Sequence, residues 1–153
     1  MKTINEIEDQ LSADFNLLET WEEKYDYLIE LGQDLPEMDE ALKTDANLVK
    51  GCQSSVWFAI NCKDERLYFE ADSDSLIVKG LVSILHQMLS GQSARDYQDL
   101  DLTFFDNLGF WRHLSSQRSN GLTSMIGQLK QAAEACAGSP KDQNSTEILP
   151  DIV

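Results

Sequence analysis

The apolar positions of this chain change period twice, from helical spacing to strict alternation and back, and those changes predict its elements. Thr3 and Glu6 have the spacing of a capping box ahead of Ile7 and Leu11, which predicts a short first helix. Thr20 and Glu23 repeat the box before Trp21, Tyr25, Leu28 and Ile29, one face of a second helix that Gly32 is placed to stop. Leu35-Pro36 opens a connection, because proline disfavours helical geometry at the residue before it, and Asp39 to Leu42 adds a helical turn. From Val56 the period is two: Val56, Phe58, Ile60 and Cys62 point one way, and Trp57, Ala59 and Asn61 the other. Lys63-Asp64-Glu65 supplies a polar turn before Leu67, Phe69 and Ala71, so the two runs read as an antiparallel hairpin.

Helical spacing then returns. Asp72-Ser73-Asp74-Ser75 offers N-cap oxygens to a long helix whose stripe is Ile77, Leu81, Ile84, Leu85 and Met88. Lys79, Ser83, His86 and Ser90 fall on its narrow opposite strip, and Gly91 ends it. Ser93 to Asp99 and Thr103 to Leu108 read as shorter helices separated by Asp101, and Gly109-Phe110-Trp111 breaks the second. A last helix from about Ser119 carries Leu122, Met125, Ile126, Leu129 and Ala133 on one face, with Cys136 three residues on. Gly138-Ser139-Pro140 closes it, and the polar remainder reads as a flexible tail. The pattern predicts an α+β fold, a small antiparallel sheet packed against several helices. It forms a single domain over 1–137, with a tail over 138–153.

Composition narrows the partners. Asp and Glu number 27 against 12 Lys and Arg, a net charge of −15, so phosphate backbones and anionic membranes are repelled and a partner with a basic patch is favoured. Neither a signal peptide nor a membrane span is legible, since the most apolar stretch, Leu76 to Leu89, is interrupted by Lys79 and His86. The 3 cysteines cannot all pair within one molecule and have no zinc-type spacing, which fits reduced thiols in the cytoplasm.

Cys62 shares the apparent core face of Val56, Phe58 and Ile60, and Cys136 extends the stripe of the last helix, so packing accounts for both. Cys52 stands outside any periodic apolar pattern, directly after Gly51 and between two apolar runs. Gly51 permits a sharp turn that projects a thiol outward, although a free cysteine is also commonly a small buried hydrophobe. An ordinary thiol is only a few per cent ionised near neutral pH, and the acidic field opposes ionisation further. Cys52 therefore reads as a carrier made reactive inside a partner's site, with Val56 and Trp57 candidates for an apolar hollow around it. His86 and His113 read as ordinary surface residues, and no nucleophile triad, metal-binding His pair or phosphate loop is present.

Several short stretches, in order, resemble the SufE family of cysteine desulfuration proteins: Trp21-Glu22-Glu23-Lys24-Tyr25, Gly51-Cys52-Gln53-Ser54 with Val56-Trp57, Asp72-Ser73-Asp74, Ile77-Val78-Lys79-Gly80-Leu81, and Arg118-Ser119 with Gly121-Leu122. The resemblance covers about Trp21 to Ala137. Gln53-Ser54 is closer to the SufE form of the loop than to that of the paralogue CsdE. It implies a fold like that of U-type scaffolds and a cytoplasmic sulfur acceptor that is not itself an enzyme. In that scheme Cys52 takes persulfide sulfur from a SufS-like or CsdA-like cysteine desulfurase, stimulates it, and passes the sulfur to a SufBCD-like iron–sulfur scaffold. Pyridoxal phosphate belongs to the desulfurase, and this chain is expected to hold no cofactor and no metal. Gly51, Gln53, Ser54, Asp74 and Arg118 match loop or partner-binding positions; Asp74 also reads as a helix N-cap and Arg118 as a helix-start ion pair. A homodimer is one option for assembly. Two other readings stay open, a U-type cluster scaffold and an acidic interaction protein without thiol chemistry.

Overall fold

The computed structural model describes residues 2–100, 103–108 and 116–138. Both capping boxes form: the Thr3 hydroxyl accepts from the Glu6 N–H at 3.1 Å while the Glu6 carboxylate accepts from the Thr3 N–H at 2.8 Å, and Thr20 and Glu23 do the same. They start α1 (Ile4–Asn16) and α2 (Trp21–Gln33). Each box satisfies backbone donors that a helix start otherwise leaves open.

Gly32 does not stop α2. The helix runs one residue further, and Gly32 is buried where α2 crosses α3 (Leu76–Leu89). A Cβ on Gly32 would come within 3.0 Å of the Gly80 backbone nitrogen, and one on Gly80 would collide with the Leu28 carbonyl. The two glycines allow the helix axes to approach, a tertiary demand that overrides the stop signal.

Strands β1 (Val56–Lys63), β2 (Arg66–Ser73) and β3 (Gln92–Ser93) form one antiparallel sheet in that order. The register pairs Phe58 with Ala71 and Ile60 with Phe69. Asp64 and Glu65 make the two-residue turn at φ of 54° and 62°, the left-handed pair that a tight hairpin requires. Along β2, Leu67, Phe69, Ala71 and Ser73 are buried in strict alternation. The α+β expectation holds. Its helix over Ser93 to Asp99 is replaced by the short strand β3 and a 3-10 turn, Ala94–Tyr97, because the Gly91 N–H bonds back to the Leu67 carbonyl at 2.7 Å and folds the chain onto β2.

Helix α3 packs against α2 and β2. It is buried on most of its surface, including Ser83 on the strip expected to be polar. His86 is half-buried, its ring edge-on to Phe69 at 5.3 Å. Phe15, Phe58, Phe105, Tyr97, Leu81 and Leu85 are among the largest enclosed side chains. Each aliphatic or phenyl group there contributes about 1.5–3 kcal/mol by leaving water. After α4 (Thr103–Asn107), α5 (Ser116–Ala137) lies over the Ala94–Tyr97 turn and β2, starting three residues before the predicted Ser119. The expectations for Asp101, Gly109-Phe110-Trp111 and His113, and the tail expected over 138–153 beyond Gly138, fall outside the described residues.

The cysteines depart from expectation. Cys62 and Cys136 are joined by a disulfide with a Cα–Cα distance of 5.7 Å, so only Cys52 is a free thiol. Cys136 is buried on the α5 stripe as expected, but Cys62 is exposed. Alternation identifies the face on which Cys62 lies. It does not say whether anything covers that face, and β1 outruns the core: Asn61, Cys62 and Lys63 are all exposed.

Candidate functional site

Cys52 belongs to the loop Lys50 to Ser55, whose ends are fixed by local pairing. The Val49 N–H donates to the Val56 carbonyl at 2.8 Å, and Leu48 bridges to Trp57. At the other end the Ser55 N–H donates to the Asp74 carboxylate at 3.0 Å, while the Asp74 N–H returns a bond to the Ser55 carbonyl at 3.2 Å. The Ser73 hydroxyl adds a bond to the same carbonyl at 2.9 Å. Asp74 is therefore a loop fastener. The N-cap of α3 is Ser75, whose hydroxyl accepts from the Val78 N–H.

Within this clamp the tip rests on α5. Gly51 has a φ of +91°, and a Cβ there would come 2.5 Å from the Ser124 hydroxyl oxygen, so both conformation and space demand glycine. The half-buried Cys52 thiol donates to the Gly121 carbonyl at 3.6 Å. Gly121 also supplies room, since a Cβ on it would lie 3.3 Å from the sulfur. Burial pushes the Cys52 thiol pKa up, so the resting group is the neutral thiol. Beside it Gly51, Cys52, Gln53 and Asn120 line an open hollow of about 350 Å³.

The structure thus gathers Gly51, Cys52 and Gln53 around one hollow, with Ser54 next in the loop and Asp74 at its base. Arg118 lies in the first turn of α5, three residues before Gly121, and its side chain is outside the described residues. The hollow is not built from Val56 and Trp57: Val56 is fully buried at the start of β1, and Trp57 faces Lys43, whose ammonium sits 5.7 Å from its ring centre. Lys43 also pairs with Asp72 at 2.7 Å, and Lys79 with Asp72 at 3.4 Å. Burial works against the Asp72 carboxylate, but the bonds from Lys43 and the Ser73 N–H outweigh it and hold its pKa below the usual range. Asn120 and Ser124 were not singled out by sequence reasoning. The signal that could have found the contact is Gly121 and Ser124, two small residues one helical turn apart beside the Leu122 and Met125 stripe.

An α+β domain presenting one free thiol on a glycine-turned loop is the class these features define. The sequence profile of SufE, described as an Fe-S metabolism associated domain, matches residues 9–133. An uncharacterised SufE-like protein of Rhizobium meliloti is 46% identical over 131 residues, covering 82% of this chain and 94% of its own length. A second, from Rhizobium etli, is 42% identical over 134 residues, covering 84% and 90%. The solution structure of a hypothetical protein from Thermus thermophilus shares the fold, with a TM-score of 0.72 at 17% identity over 87% of this chain and 97% of that one. The chain belongs to the SufE family, which places it in iron–sulfur metabolism. No helix among the described residues is long and apolar enough to cross a membrane.

Proposed function

We propose that this protein is a cytoplasmic sulfur acceptor and carrier. Cys52 attacks the persulfide of a pyridoxal-phosphate cysteine desulfurase, takes its terminal sulfur, and so frees and stimulates that enzyme. An iron–sulfur scaffold complex then receives the sulfur. The observation that carries this reading is the placement of the one free thiol: half-buried and protonated at rest, on a loop fixed at its ends whose tip rests against α5 beside an open hollow. Thiol–disulfide exchange requires a thiolate with access to the attacked sulfur, and both are withheld until a partner moves the tip. The chain itself brings no pyridoxal phosphate and no resident metal in this scheme.

The geometry weighs against a cluster scaffold. A scaffold needs convergent thiolates, whereas two of the three cysteines are joined to each other at the far end of α5 from Cys52. The interaction-protein reading requires that Cys52 be dispensable. Mixing the protein with a cysteine desulfurase and cysteine, then locating any added sulfur by mass, tests the proposal against both.

A further inference from the structure

We propose that the Cys62–Cys136 disulfide is a reversible redox site, opened by a dithiol reductant, whose state sets how firmly α5 holds the Cys52 thiol. The observations lie at the two ends of one helix. Gly121 and Ser124 meet the Cys52 loop. Cys136, 15 residues after Gly121 and so roughly 22 Å further along the axis, is bonded to Cys62. Between them the buried stripe begins with Leu122, Met125, Ile126 and Leu129 and ends with Ala133 and Cys136. The buried side chains shorten along that sequence, from leucine, methionine and isoleucine to alanine and cysteine, so each residue of the C-terminal turns has less apolar surface to bury. The strand opposite offers no core there, because Asn61, Cys62 and Lys63 are exposed. The disulfide fastens β1 to α5 where the fully buried α5 side chains are small, Ala133 and Cys136.

Its two sulfurs differ in access. Cys62 is exposed, while Cys136 is 3% exposed. A thiolate of the reductant therefore attacks the Cys62 sulfur, the S–S bond breaks, and Cys136 leaves as a thiolate that takes up a proton. The second thiol of the reductant then attacks the mixed disulfide and releases Cys62 as a thiol. Two electrons pass to the protein, and the reductant leaves as its own disulfide. In a reducing compartment disulfides are characteristically transient and redox-responsive, which suits a bond with one open end.

Closed, the bond holds α5 at a fixed position under the Cys52 loop. Open, its C-terminal turns are retained by alanines, and the helix transmits that freedom to the Gly121 carbonyl. Nothing in this coupling requires Cys52 to carry sulfur, so the test reads alkylation and not transfer. The full-length protein, purified without reductant, is alkylated before and after treatment with dithiothreitol, and modified cysteines are mapped by mass. Before treatment Cys52 alone should label. Afterwards Cys62 and Cys136 should label as well, the Cys52 rate should rise by roughly threefold or more as the local structure opens more often, and reoxidation should restore it. Cys62→Ser, which cuts the bond at its exposed end, should reproduce the faster rate without reductant; if that variant does not fold, the reduced wild type gives the same comparison. A pair that stays oxidised in the native protein, or three free thiols before treatment, would overturn the redox site. A bond that opens while the Cys52 rate stays unchanged would overturn the coupling.

Discussion

The Cys52 thiol and the Gly121 carbonyl meet at 3.6 Å across 69 positions of sequence, closing the loop onto α5. Only the protonated thiol can make this bond, and burial moves the pKa in the same direction. Alkylation of Cys52 in the isolated protein should therefore be slower at neutral pH than that of a free thiol. Its rate should still be climbing where a free thiol levels off, above an ordinary pKa of about 8.5. The sign for stability follows. The native state favours the neutral thiol, so this contribution is complete below the ordinary thiol pKa and is lost as pH rises past it. Adding the desulfurase should accelerate alkylation, and a rate already fast and indifferent to the partner would rule out partner-gated activation.

Gly51→Val tests the glycine turn of the loop. A Cβ at a φ of +91° meets backbone strain of about 1–3 kcal/mol and a clash with Ser124, while the core stays intact. The expected result is a modest drop in melting temperature with a much larger loss of sulfur loading. Equal losses in both would place the glycine's role in folding.

Asp74→Ala removes the carboxylate that holds the Ser55 N–H. The position is exposed, so the cost in a urea titration should be about 1 kcal/mol or less. Because the loop loses one fastening, Cys52 alkylation should speed up, and Asp74→Asn, which keeps an acceptor oxygen, should lie nearer the wild type. No change in the Cys52 rate for Asp74→Ala would mean that Ser73 and the Val49–Val56 bond suffice to hold the loop.

Reducing the Cys62–Cys136 bond should lower stability measurably, since it links residues 74 apart. Disulfides of that span typically contribute about 2–4 kcal/mol, chiefly by restricting the unfolded chain. For a domain of this size that corresponds to a fall in melting temperature of roughly 5–15 °C, readable by calorimetry with and without reductant. Identical melts under the two conditions would show that the bond carries no stability.

Local signals were legible wherever local physics decided the outcome. Thr3 with Glu6 and Thr20 with Glu23 are self-contained boxes, and they form as read. The hairpin and the long helix followed from period together with their local turn and cap residues. The stop at Gly32, the plain packing role of Cys62 and the N-cap at Asp74 were misread for one shared reason: each depends on what lies against the residue from elsewhere in the chain. Gly32 serves a helix crossing, Cys62 pairs with a residue on α5, and Asp74 reaches back to Ser55. At the site, Gly51 and Cys52 were legible from their place between apolar runs. The seat formed by Gly121 and Ser124 needs the path of α5 beneath the loop, and no local pattern encodes that.

The most direct test of sulfur carriage is the intact mass of wild type, Cys52→Ser and Cys62→Ser after incubation with a cysteine desulfurase and cysteine. The wild type and Cys62→Ser should gain one sulfur, about 32 Da, as a persulfide that reductant removes. Peptide mapping should place it on Cys52, and Cys52→Ser should gain none while keeping its fold. Comparable loading of Cys52→Ser, or wild-type sulfur found on Cys62 or Cys136, would contradict the assignment of Cys52 as the carrier.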